Sequence, residues 1–125
     1  MKTEDYTAFR ELKDVYLEDS YVLGLEEAAG RFIFTLDAVL TPEHSNYHPP
    51  KADEQHCYVP ARLILEAVTE VRWPLKHAQE YRDASGEVDL GGIDSMKYKE
   101  DHWEIEGDWG EVHVYSTKLP HFELG

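Results

Sequence analysis

Residues 62–73 alternate apolar and polar side chains with a period of two. Successive side chains of a β-strand point to opposite faces of its sheet, so this period is typical of a strand with one buried face. We therefore predict a single strand over these residues. Its buried face would carry Leu63, Leu65, Ala67, Val71 and Trp73, and its polar face Arg62, Glu66, Glu70 and Arg72.

The same period appears earlier in the chain, in two segments separated by Gly30. Around residues 20–26, the apolar side chains of Tyr21, Leu23 and Leu25 alternate with Ser20, Val22, Gly24 and Glu26, which predicts a half-buried strand. In Arg31–Leu40, one face carries Phe32, Phe34, Leu36, Ala38 and Leu40. Gly30 can adopt the positive φ that a tight turn requires, so we predict a hairpin.

Three more strands are predicted towards the C-terminus, over residues 93–99, 102–107 and 110–117, with Trp103 and Ile105 pairing with Val112 and Val114. At the other end, the spacing of Tyr6, Phe9 and Leu12 predicts a short helix over residues 3–13. The predicted fold is mainly β with a minor α part. We expect an antiparallel barrel or sandwich of about six to eight short strands with a short N-terminal helix.

The length of 125 residues favours one β-rich domain spanning residues 1–125. Residues 41–55 contain three prolines and are expected to form a long flexible loop. No apolar run approaches the roughly 20 residues that span a bilayer, and the first residues do not resemble a signal peptide. Cys57 is the single cysteine. These features favour a cytoplasmic protein without an internal disulfide or a membrane partner.

The formal net charge is −14, from 26 acidic and 12 basic residues. Nucleic-acid binding draws most of its affinity from Lys and Arg side chains that neutralise phosphates, so DNA and RNA are not expected as partners. Residues 83–113 alone carry ten carboxylates and two lysines. This concentration of charge has two interpretations: a basic protein partner, because opposite charges speed association, or simply solubility.

The candidate partner-binding face consists of Glu104, Glu106, Asp108, Trp109 and Glu111. Glycines at 107 and 110 indicate a turn that would bring the indole of Trp109 to the surface, where a large aromatic side chain can anchor an interface. The alternative interpretation is that the carboxylates form an ordinary solvated strand face. A monomer or a homodimer is expected, since exposed sheet edges allow pairing.

A second candidate site is a metal site in or beside the 41–55 loop, formed by His44, His48, His56 and Cys57. Imidazole and thiolate groups are suitable zinc ligands. The spacing matches no known zinc motif, and the prolines at 49 and 50 oppose the helix that would align two of the histidines. Nucleophile and phosphate-binding motifs are absent, and no cofactor is expected. A metal-dependent or small-ligand-binding enzyme that uses this loop is the alternative function.

Residues 17–23 (LEDSYVL), 89–95 (DLGGIDS) and 106–112 (EGDWGEV) resemble a group of small β-rich bacterial domains of uncharacterised function, some of them found among the immunity proteins of toxin–immunity systems. The resemblance covers most of the chain from residue 17 to residue 117. It implies a non-enzymatic domain that binds and blocks a toxin, and an acidic surface would suit a basic nuclease. The leading hypothesis is therefore a non-catalytic cytoplasmic interaction domain, which binds a basic partner through its acidic face and the 41–55 loop.

Overall fold

A computed structural model describes residues 3–10, 12–52, 56–76, 81–82, 88–89 and 91–124. Within these ranges the chain is almost entirely β, and no helix is long and apolar enough to cross a membrane. The strands are β1 (Thr3–Asp5), β2 (Val15–Ala28), β3 (Arg31–Leu40), β4 (Cys57–Glu66), β5 (Val68–Lys76), β6 (Tyr81–Arg82), β7 (Val88–Asp89), β8 (Ile93–Lys99), β9 (His102–Gly107), β10 (Gly110–Ser116) and β11 (His121–Leu124).

The strands form two main antiparallel sheets. Sheet A has the order β1-β8-β9-β10-β5, and sheet B has the order β11-β4-β3-β2, while β6 and β7 form a separate short pair. Both sheets contribute to one apolar core, in which Phe32 and Leu63 of sheet B and Trp103 and Ile105 of sheet A are fully buried. The mainly β antiparallel prediction is confirmed. The described strands form two open sheets rather than a closed barrel, and nine strands, more than predicted, build them.

Strands β2 and β3 form the predicted hairpin, with Gly30 at a φ of 72° between the paired residues Ala28 and Arg31. The predicted inner face of β3 is confirmed, because its alternate apolar side chains are buried. The predicted face of β2 is wrong at Tyr21 and Leu23, which are exposed while Val22 is buried, and it is confirmed at Leu25, which packs against the core. Register shifts between residues 16 and 21 and between residues 22 and 24 interrupt the period of two, so alternation alone assigns the wrong face.

Residues 62–73 form parts of two strands in different sheets, instead of the one strand predicted. The chain turns at Ala67, whose φ is 52°, and passes from β4 in sheet B to β5 in sheet A. The Ala67 carbonyl accepts a hydrogen bond from the amide of Thr117 (3.3 Å), and the next amide, that of Val68, donates to the Gly30 carbonyl (3.0 Å). Leu63, Leu65, Val71 and Trp73 reach the core as predicted. The prediction is wrong at the corner, where Val68 packs against the core in place of Ala67.

The predicted N-terminal helix does not form in the described part of its range, residues 3–10 and 12–13, and residues 3–8 instead form β1 and a single 3₁₀ turn at Tyr6–Ala8. Asp5 caps this turn by accepting a hydrogen bond from the amide of Thr7 (3.2 Å). Phe9 then has an extended backbone, which ends the turn. Tyr6 is buried and its hydroxyl bonds the Glu18 carboxylate, so tertiary contacts override the weak helical spacing.

The predicted C-terminal strands are confirmed as β8, β9 and β10. In the β9–β10 hairpin, Ile105 pairs with Val112 and Trp103 with Val114, as predicted. Because those four residues point into the core, the alternate positions of both strands point outward from sheet A. This outward face carries His102, Glu104 and His113.

The 41–55 segment forms hydrogen-bonded turns where it is described, with residues 53–55 outside the described ranges. The amide of Thr41 donates to the carbonyl of Asp14, that of His44 to the carbonyl of Thr41, and that of Tyr47 to the carbonyl of His44. The donor–acceptor distance is 3.0 Å in each of the three hydrogen bonds. Tyr47 also packs against the core. These contacts hold the described part of the segment against the sheets.

Candidate functional site

Trp109 is a core residue, which corrects the prediction that its indole reaches the surface. Its exposed fraction is 3%, and its ring lies 5.6 Å from that of Phe34 and 6.0 Å from that of Trp73. Its indole Nε1–H donates to the Gly92 carbonyl (3.1 Å). A Cβ on Gly107 would lie 2.4 Å from that Nε1, so glycine at 107 allows the indole to fold inward. The predicted acidic face therefore lacks its aromatic anchor.

The carboxylates of that predicted face have different environments. Glu106 and Asp108 are exposed, but Glu104 and Glu111 are partly buried on the outward face of sheet A. Oε1 of Glu104 lies 3.0 Å from the Lys99 ammonium, and Oε2 of Glu111 lies 2.6 Å from Nε2 of His113. This face thus combines carboxylates with cationic and titratable partners, and it is less purely acidic than the sequence indicates.

The three stretches that carry the family resemblance meet at one place in the fold. The Val22 amide donates to the Gly91 carbonyl (2.7 Å), and the neighbouring Gly92 carbonyl accepts the bond from Trp109. A Cβ on Gly92 would lie 3.0 Å from the Ser20 carbonyl oxygen. Glycine at position 92 therefore allows the backbone of β2 to pass close to the backbone at Gly92. The short motifs therefore have a structural role, since they join the edge of sheet B to sheet A.

A group of titratable side chains that the sequence analysis did not combine lies at the centre of the outward face of sheet A. We name His102, Glu104 and His113 the histidine cluster. One ligand atom from each lies within 4.8 Å of the other two. His102 and Glu104 are two positions apart on β9, and His113 is the cross-strand partner of Glu104 on β10. Each side chain is partly exposed, at 16%, 26% and 20% respectively.

Hydrogen bonds to the histidine cluster change the pKa values of His102 and Glu104. Nε2 of His102 lies 3.0 Å from Oε2 of Glu104, and its Nδ1 lies 2.9 Å from Asp101. Burial alone would lower the pKa of His102, but the bonds to these two carboxylates outweigh it and raise that pKa above 6.5. Burial alone would raise the pKa of Glu104. The hydrogen bonds from His102 and Lys99 outweigh this effect and lower that pKa below 4.5. The cluster is therefore a polar network with strong donor groups on an accessible strand face.

An aromatic side chain closes one side of the histidine cluster. The Tyr115 ring stacks on the imidazole of His102, with centroids 4.7 Å apart and planes 23° apart. The guanidinium carbon of Arg72 also lies over the Tyr115 ring, 5.4 Å from its centroid. This stacking restricts the His102 ring to one orientation.

The predicted metal ligands of the 41–55 region do not come together. Among the residues that the structure describes, the histidine cluster is the only group of three that could hold an ion, so His44, His48, His56 and Cys57 form none. The imidazole of His56 instead lies 3.3 Å from the Asp19 carboxylate. Cys57 is buried, and its sulfur accepts a hydrogen bond from the His48 amide (3.4 Å). The four side chains predicted as metal ligands therefore do not form a group of three around one point.

The outward face of sheet B carries an exposed aromatic surface. We name Tyr16, Tyr21, Leu23 and Tyr58 the tyrosine surface. The first three lie on β2 with exposed fractions of 42%, 44% and 42%, and they are three of the five exposed large apolar side chains in the described part of the chain. Tyr58 lies on β4, and its ring stacks on that of Tyr21 at a centroid distance of 5.8 Å. Exposed apolar area is thus concentrated here, a feature typical of interaction sites.

Carboxylates border the tyrosine surface. Strand β2 contains Glu18, Asp19, Glu26 and Glu27 and no Lys or Arg. Asp37 is the cross-strand partner of Tyr21. Burial, the neighbouring Tyr21, and the charges of Asp19 and Asp37 together raise the pKa of Tyr58 above 10.0. Aromatic and acidic side chains therefore adjoin on this face, the combination that was expected around Trp109.

Comparison of the chain with protein-family models, with curated protein sequences and with solved structures gives no match in any of the three. The resemblance to small bacterial immunity-type domains remains a prediction. The two surfaces are therefore interpreted from their own residues.

Proposed function

We propose that this protein is a non-catalytic interaction domain that binds a basic protein through the tyrosine surface. The observation that carries the proposal is the clustering of Tyr16, Tyr21 and Leu23, each more than 40% exposed, on one acidic strand. Such a cluster is unfavourable in water unless another surface covers it.

Tyrosine suits this role because it offers a large apolar area with few rotatable bonds and a hydroxyl that can hydrogen bond. The stacking of Tyr21 on Tyr58 restricts both rings before a partner arrives. Less side-chain entropy is then lost on binding, which favours affinity. Leu23 extends the apolar area along the edge strand β2.

The charge of the chain selects the class of partner. Asp19 and Asp37 beside the tyrosine surface and a net charge of −14 attract a basic surface and repel an acidic one. The partner is therefore a protein that presents Lys and Arg side chains around an apolar contact. An immunity-like role, in which that partner is a basic toxin, is the finer form of this proposal and follows from the family resemblance.

A capture experiment with three baits tests the proposal in an extract of the cells that express the protein. The baits are the wild type, the Tyr21→Ala/Tyr58→Ala variant, and a matched control, Glu104→Gln/Glu106→Gln, on the opposite sheet. We expect a basic protein that is retained by the wild type and the control, is lost from the tyrosine variant, and elutes as salt is raised. Each captured protein is then purified and its direct binding is measured.

Two results would contradict the proposal. One is that every captured protein binds the wild type and the tyrosine variant equally. The other is that the protein whose binding depends on these tyrosines is acidic. Unfolding midpoints of all three baits show whether a loss of capture reflects the surface or the stability of the fold.

A further inference from the structure

We propose that the histidine cluster is a binding site for a divalent transition-metal ion, with zinc as the best-suited ion, and that His102, Glu104 and His113 are its ligands. Two imidazoles and a carboxylate form a donor set that binds zinc, nickel and copper in preference to magnesium or calcium. The inference stands independently of the tyrosine surface, which lies on the other sheet.

The backbone of sheet A arranges the three ligands. Residues two apart on a strand point to the same face, which aligns His102 with Glu104. The antiparallel register then places His113 directly opposite Glu104. As a result, one donor atom from each side chain lies within 4.8 Å of the others. Rotamer changes that shorten these separations would place all three about 2 Å from one ion.

One nitrogen of each imidazole ring has a carboxylate partner outside the three ligands. Nδ1 of His102 lies 2.9 Å from Asp101, so its Nε2, which faces Glu104, is the donor for a metal. Nε2 of His113 lies 2.6 Å from Glu111, so its Nδ1 remains for a metal. A carboxylate that accepts the other ring N–H fixes the tautomer of a metal-binding histidine and increases its basicity. Two such carboxylates are present here.

Lys99 is the competing cation at this site. Its ammonium lies 3.0 Å from Oε1 of Glu104, and its side chain is 37% exposed. A metal ion must share the Glu104 carboxylate with this ammonium or displace it into solvent. Replacement of Lys99 by Gln is therefore expected to strengthen metal binding, an effect opposite to that of losing a ligand.

The partial exposure of the cluster leaves coordination positions open to water or to an external ligand. Three protein ligands with an open position are the arrangement of zinc sites that bind small molecules, whereas purely structural sites usually have four. The stacked ring of Tyr115 protects one side of His102. The remaining approach is from solvent.

Zinc chloride is the probe for the first test, with tag-free protein and a chromophoric chelator as competitor. We expect the wild type to bind one zinc ion per chain at the histidine cluster, and His113→Gln and Glu104→Gln each to weaken the affinity more than tenfold. Glu111→Gln should weaken it about tenfold, because it removes the carboxylate behind His113. Lys99→Gln should strengthen it. The matched control, His44→Gln/His48→Gln, should bind as the wild type does.

Cobalt supplies a spectroscopic readout that a merely structural role of these residues would not produce. Addition of Co²⁺ should give visible bands of nitrogen and oxygen coordination, without the charge-transfer band of a thiolate, and His113→Gln should abolish them. Far-ultraviolet circular dichroism confirms that each variant is folded. The proposal is overturned if the wild type competes for no zinc, if His113→Gln binds zinc as tightly as the wild type does, or if a thiolate band appears.

Discussion

The rings of Tyr21 and Tyr58 stack across sheet B, with centroids 5.8 Å apart and planes 30° apart. They belong to β2 and β4, which lie on opposite sides of β3, so the stack spans three strands of the outward face. The exposed ring of Tyr21 and the half-buried ring of Tyr58 are thereby held in one arrangement beside acidic residues. This relationship gives the tyrosine surface a fixed shape.

The stack predicts an altered ionisation of Tyr58. Burial and the neighbouring Tyr21, Asp19 and Asp37 raise the pKa of Tyr58 above 10.0. We expect Tyr21→Phe to bring that pKa closer to 10.0, because the variant removes the neighbouring hydroxyl, and Tyr16→Phe to change it less. The pKa can be measured from the Cζ chemical shift of isotope-labelled tyrosine.

The sign of the linked stability change follows from the direction of the shift. A pKa that is raised in the folded state gives a stabilisation that is complete below the unfolded pKa, near 10, and is lost as pH rises through the folded pKa. The unfolding free energy should therefore decrease in alkaline solution, and less steeply in Tyr58→Phe. A Tyr58 that titrates at or below 10.0 would show that the ring is fully solvated.

Replacement of Trp109 tests its assignment to the core. We expect Trp109→Ala to lower the free energy of unfolding by about 3 to 5 kcal/mol, because it leaves a cavity between the sheets and removes the bond to Gly92. Leu119→Ala, at a side chain that is 73% exposed, is the control and should change it by less than about 0.5 kcal/mol. Urea unfolding measures both. A loss below about 1 kcal/mol for Trp109→Ala would mean that the indole is not enclosed.

At the corner between the sheets, we predict a substitution that raises the free energy of unfolding. Ala67 has a φ of 52°, which an L-residue with a Cβ adopts at a cost. Ala67→Gly should therefore raise the free energy of unfolding by about 1 kcal/mol, whereas Ala61→Gly, inside β4, should lower it by about the same amount. If both variants are destabilised equally in urea, the left-handed conformation at residue 67 is not formed.

Local patterns predicted the strands and failed where the chain changes direction. Alternation identified the inner faces of β3 and β9, because a regular strand has a strict period of two. It did not show the corner at Ala67, since nothing in the local pattern distinguishes alanine in a strand from alanine at a positive φ. The bulges in β2 had the same effect and exchanged the faces of Val22 and Tyr21. Both features depend on packing between distant segments.

The candidate sites were harder to predict than the fold. Glu104 was identified from its charge, but its grouping with His113 requires the register of two strands, and His102 was overlooked. A search for titratable residues two apart on one predicted strand, facing another across its hairpin, would have found all three. Trp109 was misassigned because glycines at 107 and 110 suggest an exposed turn, while the same glycines give the indole room to fold inward.

The kinetics of partner binding test the central claim, that the tyrosine surface is the interaction site. Biolayer interferometry with the captured basic protein should show that Tyr21→Ala/Tyr58→Ala dissociates at least about tenfold faster than the wild type, because affinity differences at one interface lie mostly in the dissociation rate. Asp19→Asn/Glu26→Gln should mainly slow association and flatten its salt dependence. The Glu104→Gln/Glu106→Gln control should match the wild type in both rates. If instead the control loses binding while the tyrosine variant keeps the wild-type dissociation rate, the interaction site lies on sheet A and the account is wrong.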